Sequence, residues 1–181
     1  MPIPMPPTGE QFEIRSGNAR ATVTEVGAGL RAFTVDGRPF VETFSADVRP
    51  PRGAGCVLVP WPNRTTGGRW TWDGKPQQLA LTEPAGGNAI HGLLRHTLYR
   101  PADQAPDHVT LHAVIAPQPG WPVPLETSVR YSVDSGGLTV THTVRNVGTA
   151  AVPFGVGAHP YLRAGVAETD DCTLTLAATT A

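Results

Sequence analysis

The sequence contains few cysteines, no block of like charge and no long apolar run. Its two cysteines, Cys56 and Cys172, lie far apart without a Cys-x-x-Cys spacing, which argues against a zinc site and against a disulfide framework. The 14 basic and 15 acidic residues are scattered, so no electrostatic footprint for nucleic acid or an anionic membrane is visible. We therefore expect a neutral small-molecule partner, with no nucleic acid and no membrane partner.

Targeting and membrane signals are lacking as well. No apolar run approaches the roughly 20 residues that a membrane helix needs. The first seven residues, Met-Pro-Ile-Pro-Met-Pro-Pro, lack the basic and continuously apolar regions of a secretory signal. These absences lead us to expect a cytoplasmic location.

Helical periodicity is also missing, because no segment repeats apolar residues at i, i+3, i+4 and i+7 over three turns. Twenty glycines and 19 prolines, about a fifth of the 181 residues, exceed the average usage of about 12% and lie between short apolar runs. This spacing predicts an all-β, antiparallel sandwich or barrel. The length suits a single domain over residues 1–181 with a substantial core.

Several strands can be placed from alternation and turn chemistry. The Asp-Gly pairs at 36–37 and 73–74 predict tight hairpins. Alternating apolar residues predict a strand over 109–115 and a long hairpin over 125–146 that turns at 134–137. A buried strand is expected over 56–59, with Cys56 inside the core, and a last strand over 171–176.

The segment 152–163 presents one titratable ring among chain breakers. Gly155, Gly157 and Pro160 surround His159, so an apolar strand should open where the histidine is presented. Histidine exchanges a proton near neutral pH, which makes His159 a candidate for chemistry, although a loop or core histidine is the commoner case. Arg64, His91 and His96 would, if they met His159 in one groove beside an aromatic wall such as Trp61, suit a polyhydroxylated ligand.

Other chemistries have weaker support. His108 and His112 would share one face of a strand, but we find no carboxylate or cysteine partner for a metal there and expect surface residues. The Gly-x-Ser-x-Gly elbow of a serine hydrolase is absent, and paired carboxylates for glycoside cleavage cannot be located by spacing.

Four motifs occur in an order that resembles a known family. They are Pro62-Asn63-Arg64, Asn88-Ala89-Ile90-His91-Gly92, Gly120-Trp121-Pro122 with the hairpin that follows it, and Pro153-Phe154-Gly155-Val156-Gly157-Ala158-His159-Pro160-Tyr161. Over nearly the whole chain this order resembles the aldose 1-epimerases, which are galactose mutarotase-like proteins. Each motif alone is weak, whereas the four in one order within a β-rich chain are specific.

The resemblance implies a galactose mutarotase-like supersandwich that interconverts the α and β anomers of a free hexose by opening its ring. It assigns His159 as the general acid on the ring oxygen and His91 as a second acid or orienting group. Arg64 would hold sugar hydroxyls. Asn63, Trp121 and Tyr161 are the other candidate substrate-binding residues. Neither a cofactor nor a metal is implied, and the expected partner is a monosaccharide.

The sequence also departs from the family pattern. Family members continue beyond this length, and the resemblance places their general-base glutamate and a sugar-binding aspartate in that later part. None of the seven glutamates of this chain lies in a matching motif. We therefore expect a β-sandwich truncated at the C-terminus, with reduced catalysis and with possible self-association through an exposed sheet edge after Ala181. A carbohydrate-binding sandwich without turnover is the alternative, and a structural module is a weaker one.

Overall fold

The computed structural model describes residues 5–178, which form a nearly all-β structure of short antiparallel strands. Two four-stranded sheets make up most of it. The first sheet consists of β1 (Gln11–Ser16), β2 (Ala19–Thr24), β3 (Leu30–Val35) and β4 (Arg38–Pro39), in that order. This order is a meander, in which each strand pairs with the next along the chain.

Five short strands between β4 and the second large sheet, together with one short strand after that sheet, form three small antiparallel pairs. These pairs join β5 (Val57–Leu58) to β14 (Gly157–Ala158), β6 (Arg64–Thr66) to β9 (Asn88–Ile90), and β7 (Arg69–Trp72) to β8 (Lys75–Gln78). Three short 3-10 turns cover Pro51–Gly53, Pro84–Gly86 and Thr169–Asp171. Within residues 5–178 we find no helix long and apolar enough to cross a membrane.

The second four-stranded sheet contains the longest strands. Its order is β10 (Arg100–Ala105), β11 (His108–Ile115), β12 (Leu125–Asp134) and β13 (Gly137–Asn146). The β12–β13 hairpin runs in register from Leu125 opposite Asn146 to Asp134 opposite Gly137. This confirms the hairpin predicted from alternation.

The Asp-Gly turns also form as predicted. Asp36 and Gly37 have φ of 51° and 73°, and Asp73 and Gly74 have φ of 48° and 69°. A type I′ turn needs positive φ at both central residues, which asparagine, aspartate and glycine supply at low cost. The turns therefore fix the register of β3 with β4 and of β7 with β8.

The core lies between the two large sheets, where β1 and β2 contact β11 and β12. Phe12 and Val23 from the first sheet and Leu111 and Val129 from the second are at most 1% exposed. Across this layer the Tyr131 hydroxyl donates a 2.7 Å hydrogen bond to a backbone carbonyl of the loop that connects β2 with β3. Burial without a partner would cost that hydroxyl about 1–3 kcal/mol, so the bond helps to fix how the sheets face each other.

Strand β13 is only partly covered. Val140 stands opposite the buried Tyr131, and Val144 stands opposite Thr127, so both valines point toward the inner face of the sheet. They are nevertheless 37% and 38% exposed. The first sheet lies against β11 and β12 and does not extend over β13.

One strand predicted from the sequence is absent, and one observed strand was not predicted. The expected strand over 171–176 does not form: Leu174 and Leu176 are 85% and 75% exposed, and none of the described strands pairs with this segment. A strand is stable only when its backbone N–H and C=O groups form hydrogen bonds with a neighbouring strand.

Strand β10 was not predicted, because its polar, largely exposed sequence RPADQA shows no alternation. Its pairing with β11 also shifts register between Pro101 and Asp103. The expected buried strand around β5 is confirmed, and Cys56 is fully buried.

Candidate active site

A cavity of about 750 Å³ lies between the strand pairs β5–β14 and β6–β9 and the loop that contains the 3-10 turn Pro51–Gly53. This volume is within the roughly 300–1,000 Å³ typical of small-molecule sites. Its lining includes three histidines, four arginines, one glutamate and one tyrosine, which are His91, His96, His159, Arg49, Arg52, Arg64, Arg95, Glu83 and Tyr161. Three of the four sequence motifs, which lie far apart along the chain, therefore meet around one space.

His91 lies just after β9 and is locked by a reciprocal pair of bonds with Asn63. The His91 N–H donates to the Asn63 carbonyl at 2.9 Å, and the Asn63 N–H donates to Nδ1 of the His91 ring at 3.1 Å. Because Nδ1 accepts this bond, a neutral His91 carries its proton on Nε2. The ring is thereby prepared as a hydrogen-bond donor at Nε2.

The backbone at this point is strained and tightly packed. Asn63 and His91 have φ of 59° and 62°, a left-handed conformation that costs a residue other than glycine about 1 kcal/mol or more. Gly92 follows at φ 71°, where a Cβ atom would overlap the carbonyl oxygen of Val59. Only glycine fits there, which gives a physical reason for the His-Gly sequence at the end of the second motif.

His159 follows β14 directly, and β14 holds it against β5. The His159 N–H donates to the Cys56 carbonyl at 3.2 Å, and the His159 carbonyl accepts the Gly55 N–H at 2.8 Å. Its ring meets the His91 ring edge to face, with the ring centroids 5.3 Å apart and the planes at 87°. The Tyr161 ring also packs against His159, at a centroid distance of 5.2 Å. The two histidines thus share one cavity wall.

Arg64, at the start of β6, is held by Glu83. Nε and Nη2 of Arg64 each donate a 2.7 Å hydrogen bond to a different oxygen of the Glu83 carboxylate. The Asn88 amide donates to Glu83 Oε2 at 2.8 Å. Hydrogen bonds from Arg64 and then Asn88 lower the pKa of Glu83 from 4.5 to about 2. The carboxylate is thus ionised at neutral pH, and it fixes the plane of the guanidinium.

Burial and nearby positive charges keep the His91 and His96 rings neutral. The pKa of His91 is lowered, first by burial and then by the nearby His159, Arg95 and Arg64. The pKa of His96 is lowered by burial, by Arg95 and by Arg49. Both imidazoles should therefore be uncharged at pH 7.

Most of the site residues expected from the sequence line this cavity: Asn63, Arg64, His91, His159 and Tyr161. Trp121 does not. It is 3% exposed and stacks on Trp70 at a centroid distance of 5.3 Å, with Trp61 at 5.8 Å on another side. The structure therefore places Trp121 in the hydrophobic core and outside the cavity lining. Trp61 is partly buried, packs against the same core and is likewise absent from the cavity lining.

Sequence reasoning missed several lining residues. Glu83 and Arg49 lie in loops without periodicity, and Arg52 lies in the 3-10 turn Pro51–Gly53, with φ of 52°. No spacing rule could have found them. Arg95 and His96 lie in the same loop as His91. Both line the cavity, and His96 also remains exposed.

His108 was expected at the surface without a carboxylate partner, but its side chain is only 17% exposed. Its ring nitrogens lie 2.8 Å from Asp107 and 2.9 Å from Asp103, so carboxylate partners are present. The Arg130 guanidinium donates to the same Asp103 oxygen at 3.0 Å, which makes this cluster an ion-pair network at the β10–β11 turn. Among residues 5–178 no group of three or more histidine, cysteine, aspartate or glutamate side chains is arranged to hold a metal ion.

The chain is similar to known proteins along most of its length. The family model of aldose 1-epimerases matches residues 10–180. Protein YihR of Escherichia coli (strain K12) is 36% identical over 165 residues, which cover 91% of this chain and 54% of YihR. Protein YphB of the same strain is 25% identical over 157 residues, covering 83% of this chain and 51% of YphB. The chain thus spans about half the length of the curated relatives that it matches.

Solved structures show the same relationship at the level of the fold. A homologue of GalM/aldose epimerase from C. elegans superposes with a TM-score of 0.74 at 20% identity, covering 85% of this chain and 50% of that one. A galactose mutarotase-like protein from Clostridium acetobutylicum gives a TM-score of 0.71 at 18% identity, with coverage of 83% and 49%. The β architecture is therefore galactose mutarotase-like, and the match is to about half of each solved chain.

Proposed function

Because this chain belongs to the aldose 1-epimerase family, we propose that its cavity binds an aldose and serves the interconversion of the α and β anomers. The observation that carries the proposal is the edge-to-face pair of His91 and His159, with 5.3 Å between the ring centroids, at the wall of a cavity of about 750 Å³. Two imidazoles at this spacing can contact neighbouring oxygens of one sugar ring.

The reaction needs one acid and one base. In the proposed mechanism the protonated His159 ring gives its proton to the ring oxygen of the sugar while a base removes the proton of the anomeric hydroxyl. The bond between C1 and the ring oxygen breaks, and an open-chain aldehyde forms. Rotation about C1–C2 and reclosure from the other face, with the protons returned, give the other anomer. Each positioned acid or base typically contributes about 10²- to 10⁴-fold to the rate.

His91 acts beside His159 as a fixed donor in this proposal. Its Nδ1 is occupied by the Asn63 N–H, so the proton on Nε2 is available to a sugar oxygen. The lowered pKa keeps this ring neutral, which prevents two adjacent positive charges when His159 is protonated. His91 therefore orients the ring oxygen by donating a hydrogen bond to it, while His159 gives the proton.

Arg64 and Tyr161 supply the binding contacts. The Glu83 carboxylate holds Nε and Nη2 of Arg64, and Nη1 donates a 3.4 Å hydrogen bond to Asn63 Oδ1. The second N–H of Nη1 and that of Nη2 remain for the hydroxyl oxygens of the sugar. Tyr161, stacked beside His159, offers an aromatic face to the C–H side of the sugar. Asn63 lines the same cavity and can add its amide to the hydroxyl contacts.

One observation favours a second function, which is carbohydrate binding without turnover. Glu83 is the carboxylate among the described lining residues, and with a pKa of about 2 and bonds to Arg64 and Asn88 it is a weak base at neutral pH. We therefore assign Glu83 to positioning. If no stronger base reaches the anomeric hydroxyl, the chain binds the sugar and does not convert it.

Polarimetry on freshly dissolved α-D-glucose and α-D-galactose separates the two functions. For the enzyme we expect the decay of optical rotation to be accelerated by the wild-type chain and to return to the uncatalysed rate with His159→Ala. A control variant, His142→Ala on β13, lies outside the cavity and should keep the acceleration. Saturable sugar binding without acceleration would support the binding function. The absence of both would contradict the proposal.

A further inference from the structure

The cavity beside His91 and His159 is strongly cationic. Arg49, Arg52, Arg64 and Arg95 line it together with the single carboxylate of Glu83, which gives the described lining a formal charge of +3 with neutral histidines. The whole chain carries a net charge of -1, so this concentration of positive charge is local. It also differs from the neutral partner that the overall charge led us to expect.

Three of the four arginines are free of carboxylate partners within residues 5–178. Arg64 alone is paired, with Glu83 at 2.7 Å, whereas Arg49, Arg52 and Arg95 form no ion pair there. Arg95 is half-buried and donates one 3.4 Å hydrogen bond to the Thr82 carbonyl. Its remaining donors, and those of the other two guanidiniums, are available to a ligand.

Binding the neutral hydroxyl groups of a sugar does not require a cavity charge of +3. One arginine already supplies several donors to a sugar, and grouped guanidiniums repel one another unless an anion lies between them. Arginine forms short, often bidentate hydrogen bonds with phosphate and carboxylate oxygens, and a cleft lined by one sign of charge concentrates ligands of the opposite sign. The unpaired arginines therefore fit an anionic group on the ligand.

We propose that the sugar bound in this cavity carries an anionic substituent, a phosphate, sulfonate or carboxylate, which Arg49, Arg52 and Arg95 hold while the sugar ring faces His91 and His159. This inference rests on the proposed function of the same site and adds the chemical class of its substrate. The anion compensates the charge of the three arginines, and Arg64 remains with Glu83 for the hydroxyl groups.

Calorimetric titration of the 181-residue chain tests the proposal with D-glucose, D-glucose 6-phosphate, D-glucuronate, 6-deoxy-6-sulfo-D-glucose and inorganic phosphate as probes. We expect at least one of the three anionic sugars to bind about tenfold or more tightly than glucose, and the preference to shrink at high ionic strength. The best of the three identifies the anion. Inorganic phosphate should bind more weakly than that sugar, because it lacks the ring that contacts the histidines.

Substitutions of the cavity arginines test where the anionic group binds. Arg52→Ala and Arg95→Ala should each weaken the preferred anionic sugar by about tenfold while changing glucose binding less. Arg52→Lys and Arg95→Lys, which keep the charge and the fold, should restore part of that loss. Arg100→Ala, on the exposed strand β10, removes one positive charge outside the cavity. This control should change the affinity for neither the anionic sugar nor glucose.

Equal affinity for glucose and all anionic sugars, or an anion preference that survives Arg52→Ala and Arg95→Ala, would overturn the inference. Tight binding of glucose alone would overturn it and leave the proposed function intact. Binding of inorganic phosphate as tightly as the best sugar would also overturn it, because the sugar ring would then contribute nothing. Failure of every probe to bind would contradict both proposals.

Discussion

The His91 N–H and the Asn63 carbonyl are bonded at 2.9 Å, and the Asn63 N–H is bonded in return to Nδ1 of the His91 ring at 3.1 Å. Two distant motifs of the sequence are therefore joined by their backbones before any ligand arrives. This pairing sets the orientation of His91 and, through it, the tautomer that faces His159. The Asn63–His91 hydrogen bonds therefore preorganise the His91 ring, so sugar binding does not have to order it.

We predict that neutral His91 carries its proton on Nε2 and titrates below the ordinary histidine value. The Asn63 N–H occupies Nδ1, and burial and nearby cations disfavour the charged ring. Because the unfolded chain takes up this proton first, the free energy of unfolding should fall as the pH drops below about 6.5. Nitrogen-15 NMR of the imidazole rings gives the tautomer and the titration midpoint. Protonation on Nδ1 in the neutral ring would contradict the assignment.

Glu83→Gln should lower stability in a pH-dependent manner. The folded pKa of Glu83 is about 2 and its ordinary value is 4.5, so its ionised form stabilises the folded state fully above pH 4.5 and loses that effect as the pH falls to about 2. The difference in unfolding free energy between wild type and variant should follow this window, as measured by urea denaturation across pH. A difference that stays constant from neutral pH to about pH 2 would show that Glu83 acts through packing alone. Glu126→Gln, on β12 and outside the cavity, is a matched control.

Trp121→Ala should destabilise the fold, whereas Trp121→Phe should leave sugar binding unchanged. The indole is buried against Trp70 and Trp61, and removing a buried tryptophan side chain costs about 3–5 kcal/mol. Phenylalanine keeps an aromatic ring in that cluster. Tyr161→Ala, inside the cavity, is the comparison that should weaken binding. If Trp121→Phe weakens sugar affinity as much as Tyr161→Ala, the core assignment is wrong and the resemblance-based role is right.

Strand β13 is expected to mediate self-association of the chain. Val140 and Val144 point to the inner face of the sheet yet are more than a third exposed, and among the described strands β13 pairs on one side only. An exposed apolar edge strand can pair with a strand of another chain, and a lysine on that strand disfavours such pairing. Sedimentation velocity should show association that depends on concentration and is reduced in Val140→Lys. Val114→Lys, on the interior strand β11, should not reduce it.

Much of the fold follows from local chemistry. Positive φ at the Asp-Gly pairs and strict alternation in the β12–β13 hairpin depend on the residues themselves, so the sequence predicts them well. The segment 171–176 alternates equally well but pairs with none of the strands described within residues 5–178, because pairing depends on a neighbouring strand and alternation does not encode one. The exposure of Val140 has the same origin, since it depends on how far the first sheet extends.

The site divides in a similar way. His91, His159 and Arg64 could be predicted because they lie in motifs that resemble those of a family. Glu83 and Arg52 could not, since each is a single charged residue in an irregular loop whose role depends on three-dimensional neighbours. Trp121 is the opposite case: its motif predicts a substrate contact, whereas the structure stacks its indole on Trp70 and outside the cavity lining.

Ring NMR signals of His91 and His159 during titration with an aldose test the central claim most directly. If the two imidazoles form one sugar site, both rings should shift along a single saturation curve with the same dissociation constant, while the ring of His142 on β13 stays unchanged. Shifts confined to one of the two rings, or two curves with different midpoints, would contradict a shared site.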